Sequence, residues 1–157
     1  RGFGNNHLLP SGPLREPIKR LNSIDAMIIN GEKSTSKNAF SMYYSAIDQI
    51  QSVFENKYLK INSIKNKQLY AYTGIGNPER FFSLLKNFGL TFDRLIFDDH
   101  HNFSDEDFRK CGNKIIIMTE KDAVRCLHLK NKNIWYLPIK AMVDTRLFVD
   151  IRNKIGL

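Results

Sequence analysis

Only two cysteines occur, Cys111 and Cys126, and no CxxC spacing joins them. Neither a disulfide framework nor a zinc knuckle is indicated, and a reducing cytosol is the simpler setting. No apolar run approaches the roughly 18 to 20 residues that a membrane-spanning helix needs, and no signal-peptide pattern opens the chain. A membrane, if this chain meets one, is met at its surface. A phosphate-wrapping glycine loop is missing too. The stretch "NGEKST" at Asn30 to Thr35 follows an apolar run as such a loop would, but Glu32 intrudes and the upstream glycine is absent. No other segment supplies the pattern. There is also no aromatic-rich RNA motif, no helix-turn-helix and no massing of basic residues on one helix, which speaks against nucleic acid. The first residue is Arg1 rather than Met, which raises the expectation of a piece of something longer.

What is present is one core's worth of apolar residues. With 157 residues, 42% hydrophobic and 25% charged, the chain can bury one respectable core, with an arm. An excess of 24 Lys and Arg over 16 Asp and Glu gives a net charge of +8, which favours an anionic partner: phosphate, nucleotide, nucleic acid or an acidic membrane surface.

Residues 1–17 are punctuated by Gly2, Gly4, Pro10, Gly12, Pro13 and Pro17, which leave no room for a regular element. They read as a linker or as a binding loop carrying Arg1, His7, Arg15 and Glu16. Residues 24–30 are an almost continuous apolar run closed by Gly31 and read as a buried strand. Residues 39–64 hold two β-leaning pieces, 40–46 and 58–64. From residue 68 the pattern becomes regular: strands at 69–73, 93–97, 114–118 and 134–137, with helices at 78–88, 104–110, 120–126 and 145–154. Alternation of apolar strands with helices predicts an α/β, Rossmann-like parallel sheet covered on both faces. The expected organisation is an irregular arm over 1–23, a strand-rich connection over 24–67 and an α/β lobe over 68–157. In such sheets ligands gather at the carboxyl ends of the strands, and the stretches beginning at Gly74, Asp98 and Thr119 all fall there.

Each stretch has a plain structural reading. In "GIGNPERFF", residues 74–82, Asn77 is placed as a helix N-cap, Pro78 as the first helical residue and Glu79 near the positive end of the helix dipole. A dinucleotide fingerprint would need a third glycine where Glu79 stands. "MTEKDAVR", residues 118–125, has Thr119 as N-cap with Asp122 three residues on, and Lys121 and Arg125 on one helical face. A capped helix and an anion held at its N-terminus with Lys121 assisting both fit. "FDDHHNF", residues 97–103, offers a metal site, an acid/base group built on His100 and Asp99, or a solvated loop. A DHH-type metal-dependent phosphoesterase is one alternative, although the other acidic motifs of that class are not found. A non-enzymatic basic α/β binding module is another.

Taken together, "RGFGNNHLLPSGPLREP", "IDAMIINGE", "GIGNPERFF", "DDHHNFSDED", "MTEKDAVRC" and "IWYLPI", in this order from Arg1 to Ile139, resemble the later part of tetraacyldisaccharide 4′-kinase of Gram-negative bacteria. The resemblance implies a two-lobed P-loop kinase that moves the γ-phosphate of ATP, with Mg2+, to the 4′-hydroxyl of tetraacyldisaccharide 1-phosphate. The product is lipid IVA, a lipid A intermediate in lipopolysaccharide biosynthesis. It further implies peripheral work at the cytoplasmic face of the inner membrane, on an anionic surface. The family's P-loop, catalytic aspartate and acidic pair precede the arginine-glycine motif. This chain therefore matches the C-terminal part and is expected to be inactive alone. The family's catalytic histidine matches His100, with Asp99 beside it, and His101 falls at a variable position. Arg15 and Glu16 are implied neighbours of the nucleotide and the cleft, Glu16 organising either Arg15 or a magnesium-bound water, and Lys121 is a further nucleotide or cleft candidate from its place at the helix N-terminus.

Overall fold

The computed structural model describes residues 3–31 and 39–156. Residues 32–35 of the "NGEKST" stretch, and Arg1, lie outside that set. In chain order the elements are β1 (Met27–Asn30), β2 (Ala39–Ala46), β3 (Gln49–Ser52), β4 (Tyr58–Lys60), β5 (Leu69–Thr73), α1 (Pro78–Asn87), β6 (Asp93–Ile96), β7 (Ile115–Thr119), α2 (Glu120–Ala123), β8 (Ile134–Leu137), β9 (Ile139–Val143) and α3 (Arg146–Ile155). Short 3-10 turns cover Ile18–Ser23, Ile61–Ser63, Asp105–Cys111 and Val124–Cys126.

Strands β5, β7 and β8 are the centre of the larger sheet, whose order is β4-β3-β8-β7-β5-β6. The last four in that order run parallel, and β3 and β4 add antiparallel to the far edge. Their side chains alternate, so each near-continuous apolar run serves two cores at once. Leu69, Ala71, Ile117, Trp135 and Leu137 face one side and pack with Ile50, Ile61 and Ile64 against Phe81, Phe82 and Leu85 of α1. Tyr72, Ile116, Met118 and Ile134 face the other side and pack against Phe103, Phe108, Cys111, Ala123, Cys126 and Leu129. Both faces are covered, as the strand and helix alternation predicts.

α1 begins where the sequence places it. Pro78 sits in the first turn, Glu79 faces the positive end of the dipole, and the Asn77 side chain makes no capping bond. Residues 104–110 do not form an α-helix: Asp105–Cys111 is a 3-10 turn, started by Ser104 and Asp107 as a reciprocal capping box. The α-helix expected over 120–126 lasts only four residues before tightening into 3-10 geometry. β6 is an edge strand exposed along its whole length, and β3 and β9 carry no periodic signal strong enough to find them in the sequence.

The chain divides into two compact units, Arg1–Tyr44 with Ala141–Leu157, and Ser45–Lys140. The division departs from the sequence boundaries. Residues 45–67 join the large sheet through β3 and β4, and the last helix leaves it. The first unit holds a three-stranded sheet of order β1-β2-β9. β1, expected as a buried strand, alternates half-buried and exposed residues and pairs in parallel with β2, leaving Ile28 50% exposed. Lys154 of α3 reaches Asp25, Nζ to Oδ1 2.7 Å, and its hydrogen bond holds the Asp25 carboxyl below the usual range.

Candidate active site at the carboxyl edge of the parallel strands

Three loops leave the carboxyl ends of β5, β6 and β7, all within the second unit, and one buried carboxylate joins two of them. Asp122 is 0% exposed. Its Oδ2 accepts from the Thr73 hydroxyl at 2.8 Å, the Gly74 amide at 3.1 Å and the Thr119 hydroxyl at 2.7 Å. Oδ1 faces the Arg125 guanidinium in a charged hydrogen bond. The Thr119 hydroxyl also accepts the Asp122 amide, so the capping assignment made from sequence stands. The cap is only part of what Asp122 does. Burying a carboxylate is costly unless it is paired and fully hydrogen-bonded, and these partners supply both conditions.

The third loop is fastened by Arg125. Its Nη1 donates to the His101 carbonyl at 3.0 Å, while the guanidinium lies 5.4 Å from the centre of the Phe103 ring. The Phe97 amide donates to the Thr73 carbonyl at 2.9 Å, which brings the β5 and β6 loops together. At their closest approach stands Gly74, where a Cβ would come within 2.8 Å of the Asp98 carbonyl oxygen. Only glycine fits there.

The "DDHH" tract separates into two kinds of residue. His101 is anchored: its ring stacks on Phe97 with centroids 4.6 Å apart, and Nε2 lies 3.1 Å from Asp107 Oδ2. Burial alone would raise the Asp107 carboxyl, but hydrogen bonds from the Ser104 amide, the His101 ring and the Ser104 hydroxyl outweigh it and hold the group below its ordinary value. His101 is therefore a structural pin, more than the loop residue its sequence position suggests. His100 is the opposite. Its side chain is 76% exposed, and its backbone is left-handed at φ 65°. His100 is thus turned outward at the loop apex while its neighbour is turned in. Asp99 stands behind it, accepting the His100 amide at Oδ1, 3.1 Å, with Oδ2 3.8 Å from His100 Nε2. Lys121 donates to Asp99 Oδ1 at 3.2 Å, and that hydrogen bond above all keeps the Asp99 carboxyl below the usual carboxylate range.

The structure therefore brings His100, Asp99 and Lys121 into one chain of polar contacts. Lys121, in the first turn of α2, faces Asp99. Arg15 and Glu16 belong to the first unit, where the Glu16 carboxylate accepts from Arg20 Nε at 3.0 Å and the Arg15 side chain is exposed. Arg20, not Arg15, is the guanidinium that faces Glu16. Sequence reasoning missed Asp122 and Arg125 as fasteners. The signal was present in "TEKDAVR", an acid three residues before an arginine, but it is indistinguishable from an ordinary helix pair until the strand ends are in place. Among the described residues no three His, Cys, Asp or Glu side chains form a metal-holding group.

An α/β protein with parallel strands delivering polar loops to one carboxyl edge is the class that fold and site define. A family model described as "Tetraacyldisaccharide-1-P 4'-kinase" matches residues 1–156, and the chain belongs to that family. A tetraacyldisaccharide 4'-kinase of Methylobacillus flagellatus is 38% identical over 147 residues, covering 94% of this chain and 44% of that protein. One of Mannheimia succiniciproducens is 40% identical over 157 residues, covering 99% of this chain and 47% of its own length. The crystal structure of LpxK from Aquifex aeolicus in complex with ATP superposes with a TM-score of 0.72 at 25% identity, over 93% of this chain and 47% of that one. The chain spans under half the length of the relatives it matches.

Proposed function

We propose that this chain forms the C-terminal part of a kinase that transfers the γ-phosphate of ATP to the 4′-hydroxyl of tetraacyldisaccharide 1-phosphate, and that His100 serves that transfer. The reading rests on family membership and on one local observation: an exposed imidazole held at a loop apex by Asp99, which is itself tied to Lys121. Phosphoryl transfer leaves the protein mainly positioning and charge placement. An imidazole in that setting can take a proton from a hydroxyl, or hold a neighbouring carboxylate in its ionised form. Asp99 lies beside the ring, its Oδ2 3.8 Å from Nε2, and accepts the His100 amide, so it sets where the imidazole stands. Lys121 fixes Asp99 in place.

The described residues do not by themselves fit Mg2+ and ATP. No glycine loop wraps a triphosphate, and no group of three acidic or imidazole side chains converges. In this reading nucleotide and metal are held by residues beyond this chain. Arg15 and Glu16 are assigned to the cleft on the resemblance alone. Peripheral contact with the anionic inner-membrane surface is supported by the net charge of +8. Among the described residues no helix is long and apolar enough to cross a membrane.

The test is His100→Ala in a full-length kinase carrying this chain. The turnover number is expected to fall by about 10²- to 10⁴-fold while the KM for ATP changes little. An unchanged turnover number removes His100 from the reaction.

A further inference from the structure

At the opposite, amino edge of the same sheet, a groove of about 580 Å³ opens beside the starts of β5, β7 and β8. Three lysines line it, Lys57, Lys67 and Lys114, together with Asn113, Asn133 and Trp135, and no carboxylate does. Glu55 lies 3.6 Å from Lys57 in an ion pair whose partners are both more than 60% exposed, too solvated to neutralise the groove. Lys114 sits 5.4 Å above the Tyr70 ring, a contact that leaves its charge uncancelled. Asn133 donates Nδ2 to the Asn113 carbonyl at 3.2 Å, which ties together the loops that precede β7 and β8.

The second observation is Trp135. It is only 7% exposed, yet its indole Nε1 is buried with no hydrogen-bond partner among the described residues. Buried donors are almost always satisfied, so this orphan marks Trp135 as a lining residue whose donor the packing beside the groove leaves unmet. A groove lined by three lysines and no carboxylate is a setting for an anionic oxygen ligand.

We propose that this groove binds a phosphate monoester, distinct from the carboxyl-edge site and independent of His100. The shared chemistry is a dianionic phosphate, carried either by a small soluble molecule or by the headgroup of a lipid. Dianionic charge matches the cluster of lysines better than the single charge of a phosphodiester.

Trp135 is the chain's one tryptophan, so its fluorescence reports on the groove without a label. The probes are inorganic phosphate and two vesicle preparations in phosphatidylcholine, one with phosphatidic acid and one with phosphatidylglycerol at matched surface charge. Titrations use residues 1–157 at low ionic strength, and the comparison chain is Lys67→Ala with Lys114→Ala. A saturable change with phosphate, weakened at least about tenfold in the double variant and by added salt, supports a soluble ligand. The same change only with phosphatidic acid supports a lipid headgroup. Equal response to both vesicle types, equal affinity in the double variant, or no response to any probe overturns the proposal. Far-ultraviolet circular dichroism of the variant, matched to the parent, keeps misfolding out of the comparison.

Discussion

Replacing Asp122 with Asn exchanges one carboxylate oxygen for an NH2 group and should cost the fold about 3 kcal/mol. Four donor groups surround the carboxylate. Three of them converge on Oδ2, from Thr73, Gly74 and Thr119, and the Arg125 guanidinium faces Oδ1. An asparagine can keep its one oxygen toward the three donors only by turning its NH2 toward Arg125. That sets donor against donor and strips a largely buried guanidinium of its counter-charge. Removing one partner of a buried pair costs about 3–5 kcal/mol, and retention of the three neutral donors puts the Asn variant at the lower end. Asp122→Ala, which abandons all four, belongs at the upper end. Urea unfolding of residues 1–157, followed by Trp135 fluorescence, would read this as a midpoint shift of about 1–2 M at an ordinary slope. The double variant Asp122→Asn with Arg125→Met should recover about 1–2 kcal/mol, because the orphaned cation is gone. A shift under about 0.3 M for Asp122→Asn, with the slope unchanged, would refute the assignment of this carboxylate as the fastener of the strand-end loops.

Other outcomes are expected. Residues 1–157 alone should show no ATP-dependent phosphorylation of the disaccharide, and measurable transfer in a radiolabel assay would contradict the proposed division of labour. Phe82, a fully buried residue that α1 presents to the sheet, should cost about 3–5 kcal/mol when cut to Ala. Calorimetry or denaturant melts would measure it. Burial, helped by the nearby Asp122 charge, pushes the Cys126 thiol from 9.0 up to about 12. Its folded value is raised, so its contribution to stability is full below pH 9.0 and is lost as pH rises toward about 12. Iodoacetamide at pH 8 should leave it untouched until the chain unfolds. Asp107 has the reverse sign. Its folded value is lowered, so its contribution is present above 3.8 and disappears as pH falls below that. Asp107→Asn should flatten that acid limb in thermal melts taken from pH 3 to 6.

How much of this was legible before folding differs from element to element. β5, β7 and β8 were visible because buried strands need near-continuous apolar runs, and the α1 start was visible because Pro78 and Glu79 are chemically suited to a first turn. β3 and β9 were invisible, since edge or half-exposed strands carry mixed sequences whose pairing is decided by neighbours far along the chain. The 3-10 turn at Asp105–Cys111 followed from a capping pattern that marks where a helix starts without fixing its pitch. At the candidate site, residue types raised His100 and Asp99, and the family resemblance chose His100 over His101. The geometry added the reason for their difference: a left-handed backbone at His100, and an aromatic stack with Asp107 at His101.

By itself the sequence determined the α/β class, the carboxyl-edge location of the polar loops and the family, because apolar periodicity and short motifs are local and survive without a fold. Tertiary structure alone decided that Asp122 and Arg125 would fasten three loops, that Lys121 would face Asp99, and that three separated lysines would border one groove. Those are distances between residues tens of positions apart. They exist only once strand pairing has set the register.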